Sequence, residues 1–304
     1  MRKIIFQEAD FYGASKLVFN DSKIPLCYKA SWMHGLGFIF HENINSRILI
    51  HYNEDFLPFH LVNNNDSSSI LKKEGIKSIP VGMPFIYTKT FEKKKSIHKK
   101  YKRIFMPRHI VSKSKFIESF ESWKRIVSKY SCDAICLAGL EYRMFKEQKI
   151  DFGRNISVLR GASAGDDSSL ERVAQMFSSS HEIICDSIGS HLIYAGSCGA
   201  SVRIIDEIYQ LPKYSDQIIK NAPKKIKESF KSYYSSNILD NIESSIWASG
   251  NDNEIEEFSN YVLGIDHKKS STEIQKFLIP DNWRQTISII YNLIKMKLVN
   301  RITV

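Results

Sequence analysis

The sequence predicts an α/β protein built from parallel sheets. Short apolar runs alternate with amphipathic helical segments as far as residue 205, and polar turns containing glycine follow many of the apolar runs. From residue 212 to the end only helical patterns occur. Strands that alternate with helices are typical of parallel sheets with helical crossovers. At 304 residues the chain is long enough for two such domains.

The first half contains five predicted strands and two predicted helices. The strands are expected at Lys3–Phe6, Pro25–Lys29, Arg47–His51, His60–Asn63 and Ser78–Val81. The helices are expected at Glu54–Phe59 and Ser67–Glu74, and Gly75 is the predicted stop of the second.

The second half repeats the alternation more clearly. Strands are expected at Arg103–Met106, Ala134–Ala138, Ile156–Leu159, Glu182–Cys185 and Val202–Ile205. Helices are expected at Ile117–Tyr130, Glu141–Glu147, Ser168–Phe177 and His191–Ala195, with Asp166 or Asp167 capping the third. Further helices are expected at Asp216–Tyr234, Ile242–Trp247, Glu254–Val262, Ser271–Phe277 and Trp283–Asn300.

The charge of the chain is concentrated in one segment. The formal net charge is +10, and residues 89–129 hold fourteen Lys or Arg against three Glu. A local excess of this kind indicates an anionic ligand or an anionic membrane surface. Nucleic acid is not expected as a partner because the excess is local, although a nucleic-acid-binding protein is the non-enzymatic alternative. The predicted parts are therefore an α/β domain over 1–88, a basic linker over 89–102, a second α/β domain over 103–210 and a helical extension over 211–304.

Several classes of protein are disfavoured by what the sequence lacks. It contains no apolar run of 18 residues, and its N-terminal apolar run is too short for a signal peptide, so a cytoplasmic location is expected, with peripheral association at the inner face of the cell membrane as the alternative. The five cysteines are scattered, which indicates reduced, buried thiols rather than a zinc site. Walker A, HExxH and GxGxxG motifs are absent, and so is a DxD motif. We therefore expect metal-independent chemistry with no cofactor.

Residues 183–204 are the strongest indication of a ligand. An apolar run ends at Cys185, a polar turn follows, and a short helical pattern then leads to Gly199 and a second apolar run. The turn after such a strand lies at the ligand-binding edge of a parallel sheet, and the helix that it opens offers free N–H groups to a phosphate. The predicted nucleotide-binding residues of this turn are Ser187, Gly189, Ser190 and His191. The alternative is an ordinary helix that Ser187 caps.

Charged and small residues also follow three neighbouring strands. Arg108 and His109 come after the first strand of the second half, Arg143 is close to the end of the next, and Gly161 follows the third. Since the carboxyl ends of parallel strands lie at one edge, these four residues are predicted to help bind the same nucleotide. A surface basic pair is the alternative for Arg108 and His109.

A candidate general base lies in the first half. Gly35 and Gly37 indicate a loop after a strand, with His34 at its tip. Histidine is a common general base because its ordinary pKa lies near neutrality. Glu54 and Asp55, after another predicted strand, are the rival bases, although each is equally suited to cap a helix. The alternative for His34 is a histidine packed beside Trp32.

The motifs WMHG (32–35), VGMPFIY (81–87), MPRH (106–109) and DSIGSHLIYAGSCGASV (186–202) resemble the GT-B class of nucleotide-sugar glycosyltransferases. The resemblance is to transferases encoded among bacterial surface-polysaccharide genes, such as those for capsule or O-antigen. It implies two doubly wound, Rossmann-like domains that face a cleft, with the acceptor on the first domain and the nucleotide-sugar donor on the second. The implied acceptor is a growing glycan, free or lipid-linked.

Two other enzyme functions stay open. A sialyltransferase-like enzyme would use a CMP-activated nonulosonic acid, but the His-Pro donor motif of that class is not evident. A nucleotide-sugar epimerase would keep the architecture and need no acceptor.

Overall fold

The structure is a computed structural model that describes residues 7–19, 24–35, 56–108, 113–186, 189–205 and 252–302. Four predicted elements, Lys3–Phe6, Arg47–His51, Asp216–Tyr234 and Ile242–Trp247, lie outside these ranges.

The first sheet has three parallel strands within the described residues, in the order β1 (Ala30–Trp32), β2 (Phe59–Val62) and β3 (Ser78–Pro80). The strands β2 and β3 are confirmed to within one residue at each end. The strand expected at Pro25–Lys29 is wrong, because backbone groups there bond elsewhere. The Tyr28 N–H donates to Gln7 Oε1 at 2.7 Å and the Lys29 N–H donates to the Leu278 carbonyl at 2.9 Å.

In the described part of the first half, three helices accompany the sheet: α1 (Ala14–Val18), α2 (Asn65–Lys73) and α3 (Lys89–Glu92). Turns of 3-10 helix cover Glu8–Gly13, Pro84–Tyr87 and Lys94–Ser96. Asn64 caps α2 by accepting the Ser67 N–H at 3.1 Å. The helix expected to end at Phe59 is wrong at that end, because Phe59 pairs with Ala30 in the sheet.

Among the described residues, the second sheet has five parallel strands in the order β6-β5-β4-β7-β8. They are β4 (Tyr101–Met106), β5 (Ala134–Leu137), β6 (Ser157–Arg160), β7 (Ser180–Cys185) and β8 (Ser201–Ile204). Its helices are α4 (Lys113–Lys129), α5 (Gly139–Gln148), α6 (Ser169–Ser178) and α7 (Ser190–Ser197). All the strands and helices predicted between residues 103 and 205 are confirmed to within a few residues.

Helices cover both faces of the second sheet. Successive side chains along each strand point to opposite faces, so each strand packs against helices on both sides. On β4, Phe105 packs in a cluster with Phe116 and Trp123 of α4, whereas its neighbour Ile104 packs in the cluster that holds α6 and α7. Ile183 and Ile184 of β7 divide between the two clusters in the same way. The sheet is therefore doubly wound, and the predicted α/β class with parallel sheets is confirmed.

Three C-terminal helices follow, at α8 (Asp252–Leu263), α9 (Ser271–Leu278) and α10 (Trp283–Ile302). All three are confirmed predictions. Ser270 and Glu273 form a reciprocal capping box at the start of α9. The predicted Asp cap of α6 is wrong: the N-cap is Ser168, and the Asp166 carboxylate instead accepts the Ser168 N–H and bonds Arg172. No helix within the described ranges is long and apolar enough to cross a membrane.

The two sheets share one hydrophobic core. The cluster that contains Trp32 and Phe85 from the first half also contains Val173 and Tyr194 from the second. The ring of Phe85 stacks on that of Tyr194 with centroids 4.1 Å apart and planes 6° from parallel. The short helix α3, in the segment predicted as a linker, packs on the second half, where Glu171 accepts the Thr90 N–H at 2.8 Å.

Gly264, which follows α8, packs against the backbone of Asn63, directly after β2. No side chain fits at this position. Its φ is +71°, and a Cβ there would lie 1.8 Å from the Asn63 carbonyl oxygen. Gly75 has a similar φ of +74°, but a Cβ there would meet nothing within 4 Å. We expect Gly75→Ala to lower the free energy of unfolding by about 1–2 kcal/mol, and Gly264→Ala by about 3–5 kcal/mol.

Urea unfolding of the two variants measures this difference. The two variants have the left-handed backbone in common, so their difference isolates the contact with Asn63. Equal losses would contradict the tight packing of Gly264 against β2.

Candidate active site

The order of the second sheet creates a crevice between β4 and β7. The chain runs outward from β4 to β5 and β6 on one side, and β7 and β8 continue on the other. Helices that leave two adjacent strands in opposite directions open a gap at the carboxyl ends of those strands, which is where open α/β sheets bind ligands. The two strands end in register, with Met106 opposite Cys185. The segments that begin at Pro107 and Asp186 therefore flank this crevice.

Asp186 connects the two strand ends. Its Oδ1 accepts the Arg108 backbone N–H at 2.6 Å, and the residue is only 4% exposed. A charge-assisted bond from a buried carboxylate fixes the course of the chain as it leaves β4. Sequence reasoning placed Asp186 in the polar turn but not among the site residues. An acidic residue directly after a buried strand was the available signal.

The helix α7 begins at the crevice with Ser190. Its N-cap is Gly189, which has no side chain to bond the first-turn N–H groups. The His191 ring lies over Gly189, where a Cβ would be 2.8 Å from ring atoms Cε1 and Nδ1. The first turn of a helix carries unsatisfied N–H groups and a partial positive charge, and both favour an anion.

The end of β1 meets the start of α7. A side-chain carbon on Gly35 would lie 3.2 Å from Ser190 Oγ, and the φ of Gly35 is +90°. Burial raises the pKa of Tyr194. The Gly35 N–H donates to the Tyr194 hydroxyl oxygen, and this bond has a smaller, opposite effect on that pKa. Tyr194 is buried against Phe85, as expected for a residue that packs the helix. The first half thus contributes its His34–Gly35 segment to the crevice of the second.

His34 lies in an aromatic setting next to this contact. It is 8% exposed, and its ring centroid is 4.7 Å from that of Phe11 and 5.0 Å from that of Tyr12. His34 is therefore buried, as the alternative of a packed histidine predicted, but its ring partners are Phe11 and Tyr12. Its place beside Gly35 keeps His34 within the group of residues that surround the crevice.

Tyr12 holds an uncommon backbone conformation beside His34. Its φ is +58°, which is uncommon for a residue other than glycine. Its N–H donates at 2.9 Å to the carbonyl of Ala164, which lies in the loop after β6. A bulky residue in the left-handed region costs about 1–3 kcal/mol and persists where surrounding contacts impose it. The segment Glu8–Gly13 therefore joins the His34 side of the crevice to the second sheet. This segment could not be predicted from the sequence, because a tyrosine in the left-handed conformation has no recognisable sequence pattern.

The structure does not bring two predicted residues to the crevice. Gly161 follows β6, two strands away from β4, and a Cβ there would lie 3.0 Å from Cys136 Sγ. Arg143 is exposed on α5. Both stay predictions as ligand contacts. Four more predicted residues, Glu54, Asp55, His109 and Ser187, lie outside the described residues.

An open cavity of about 910 Å³ lies near Gly161, beside the loop after β6. Its charges are already paired, with Lys16 2.8 Å from Asp167 and Arg160 2.9 Å from Asp166. Burial alone would raise the pKa of Asp166, but hydrogen bonds from Arg172 and Ser168 hold it below its ordinary value. This paired cluster is better suited to stabilising the loop than to binding a phosphate.

Comparison with known proteins gives similarity in fold only. No protein-family model and no curated protein matches the sequence. A UDP-GlcNAc 2-epimerase from Neisseria meningitidis, bound to UDP-GlcNAc, is 16% identical with a TM-score of 0.36, over 77% of this chain and 69% of that one. TarM from Staphylococcus aureus, in complex with UDP, is 12% identical with a TM-score of 0.35, over 86% and 50%.

A glycosyltransferase from Rickettsia africae is 15% identical, with a TM-score of 0.32, over 88% of this chain and 70% of that one. At these identities and scores, the similarity leaves the activity to be argued from the site itself.

Proposed function

We propose that this protein is a glycosyltransferase that moves a sugar from a nucleotide-sugar donor to a hydroxyl group of a growing bacterial surface glycan. The observation that carries the proposal is the contact of Gly35 with Ser190. This contact brings the segment after β1, which contains His34, to the start of α7. The start of α7 lies at the crevice between β4 and β7 of the doubly wound sheet. A base and an anion-binding helix end on opposite sides of one crevice suit the transfer of a glycosyl group from a phosphate.

In this proposal, the donor diphosphate binds the first turn of α7. The backbone N–H groups there, with Ser187, Ser190 and His191, are the expected ligands of its oxygens. Arg108 is held at the same crevice by Asp186, and with His109 it would balance the charge of the departing nucleotide. Gly189 lets the backbone approach the phosphates closely, because it has no side chain.

The proposed chemistry is a displacement at the anomeric carbon. The acceptor hydroxyl oxygen forms the new bond to that carbon, and its proton passes to His34. The bond from the anomeric carbon to the phosphate oxygen breaks, and its electron pair leaves with the nucleoside diphosphate. Glu54 and Asp55 are the alternative proton acceptors. We propose that no metal or cofactor takes part and that the reaction takes place in the cytoplasm.

A thermal-shift screen against UDP, GDP, CMP and dTDP and their sugars tests donor binding. A ligand at 100 times its Kd stabilises the protein by about 2.7 kcal/mol, so one nucleotide class is expected to raise Tm by several degrees. The bound nucleotide sugar is then incubated with the protein alone. Conversion to an epimer without an acceptor would identify an epimerase, and a lack of stabilisation by all four classes would contradict the proposal.

A further inference from the structure

The C-terminal helix α10 has two apolar faces, and the described part of the chain covers only one of them. Ile289 and Leu293 are buried in a small cluster with Cys27 and Leu57. On the other side, four large apolar residues are exposed, namely Trp283 (67%), Ile287 (56%), Tyr291 (65%) and Ile294 (48%). They are spaced four, four and three residues apart, which places them in one stripe along the helix.

The charge of α10 is of one sign. The helix contains four Lys or Arg and no Asp or Glu. Arg284 and Lys295 are exposed, and helix geometry places both along the Tyr291 edge of the stripe. The Arg284 guanidinium also lies 5.7 Å from the centre of the Trp283 ring. The exposed apolar stripe and its cationic edge are complementary to the apolar and anionic layers of a bilayer interface.

We infer that α10 docks the protein on an anionic lipid surface. Trp283 and Tyr291 have the amphipathic rings that favour the headgroup region, and Ile287 and Ile294 supply apolar area between them. Arg284 and Lys295 would contact lipid phosphates at the edge of the stripe. The inference does not depend on the proposed activity.

A second copy of the chain fits this face less well. A two-fold contact would bring together two helices that each lack an acidic residue, and neither helix could pair the cations of the other. Like charges that face each other across an interface oppose association. An anionic bilayer supplies the missing negative charge and the apolar phase together.

Co-sedimentation of the full chain with vesicles tests the inference. We expect binding to vesicles of equal parts phosphatidylcholine and phosphatidylglycerol, and little binding to phosphatidylcholine alone. Binding should weaken in 0.5 M NaCl, because salt screens the cationic edge. Brominated lipid should quench tryptophan fluorescence, and Trp283→Phe should remove that quenching.

Variants at exposed positions separate the stripe from general stickiness. We expect Ile287→Ser to weaken vesicle binding about tenfold or more, and Arg284→Gln with Lys295→Gln to weaken it about 25-fold. The matched control is Ile117→Ser on α4, where an isoleucine of similar exposure (52%) lies outside the stripe. Thermal melts check that each variant is folded.

Three results would overturn the inference. The first is equal binding of the wild type to neutral and anionic vesicles, or no binding to either. The second is an equal loss of binding in Ile117→Ser and Ile287→Ser. The third is a dimer by light scattering that Ile287→Ser dissociates, which would assign the stripe to self-association.

Discussion

His34→Ala is expected to lower kcat by about 10²–10⁴-fold, the usual contribution of a general base. The Kd of the donor should change by less than about threefold, because the proposed donor ligands lie on α7 and after β4. Initial rates with the donor identified by the thermal screen, together with calorimetric titration, measure the two quantities separately.

His60→Ala is the matched control for His34. His60 is likewise buried but lies within β2, and its Nδ1 lies 2.6 Å from Ser31 Oγ in the neighbouring strand β1. Its loss should lower Tm and leave kcat of the folded protein nearly unchanged. Full turnover in His34→Ala would remove His34 from the mechanism, and Glu54→Gln and Asp55→Asn would then be the variants that identify the base.

Asp186→Ala is expected to raise the Kd of the nucleotide by about 10–100-fold. The substitution removes a charge-assisted hydrogen bond worth about 1.5–3 kcal/mol and releases the Arg108 backbone from its place beside β7. Asp186→Asn keeps an oxygen that can accept the Arg108 N–H, so a smaller loss is expected. Calorimetric titration of the three proteins measures the effect.

Asp133 provides the control for Asp186, because it bonds the opposite end of β4. Its carboxylate accepts the Lys102 and Arg103 N–H groups at 2.8 and 2.7 Å, at the start of β4. Asp133→Ala should destabilise the protein and leave the Kd nearly unchanged, because ligands bind at the carboxyl ends of the strands. A similar rise of Kd in both variants would show that Asp186 acts only through the stability of the sheet.

The second sheet could be predicted from the sequence because its local signals agree. The strand Ala134–Leu137 is a short apolar run, the strand Ser180–Cys185 ends in one at residues 183–185, and the helix between Lys113 and Lys129 shows a clear apolar face. The strand order could not be predicted, because pairing between β4 and β7 depends on packing between distant segments. The first sheet was harder, since Pro25–Lys29 is apolar enough for a strand but bonds Gln7 and Leu278 instead.

The candidate site was predictable in its types of residue but not in its contacts. A glycine, serines and a histidine after a buried strand indicated the start of α7. The pairing of Asp186 with the Arg108 backbone and the approach of Gly35 to Ser190 both join residues more than 75 positions apart in the chain. The left-handed Tyr12 depends on its bond to Ala164, which no local pattern records.

In the proposed function, the stacked rings of Phe85 and Tyr194 would restrict how substrates enter and leave the crevice. If the two halves swung apart as rigid lobes, both rings would lose their partner and their faces would meet water. Because an aromatic side chain buries about 150–250 Å², that movement would cost several kcal/mol at about 25 cal/mol per Å². Substrate exchange is therefore expected to proceed by local rearrangement of the segments after β1, β4 and β7, while the two sheets keep their mutual orientation.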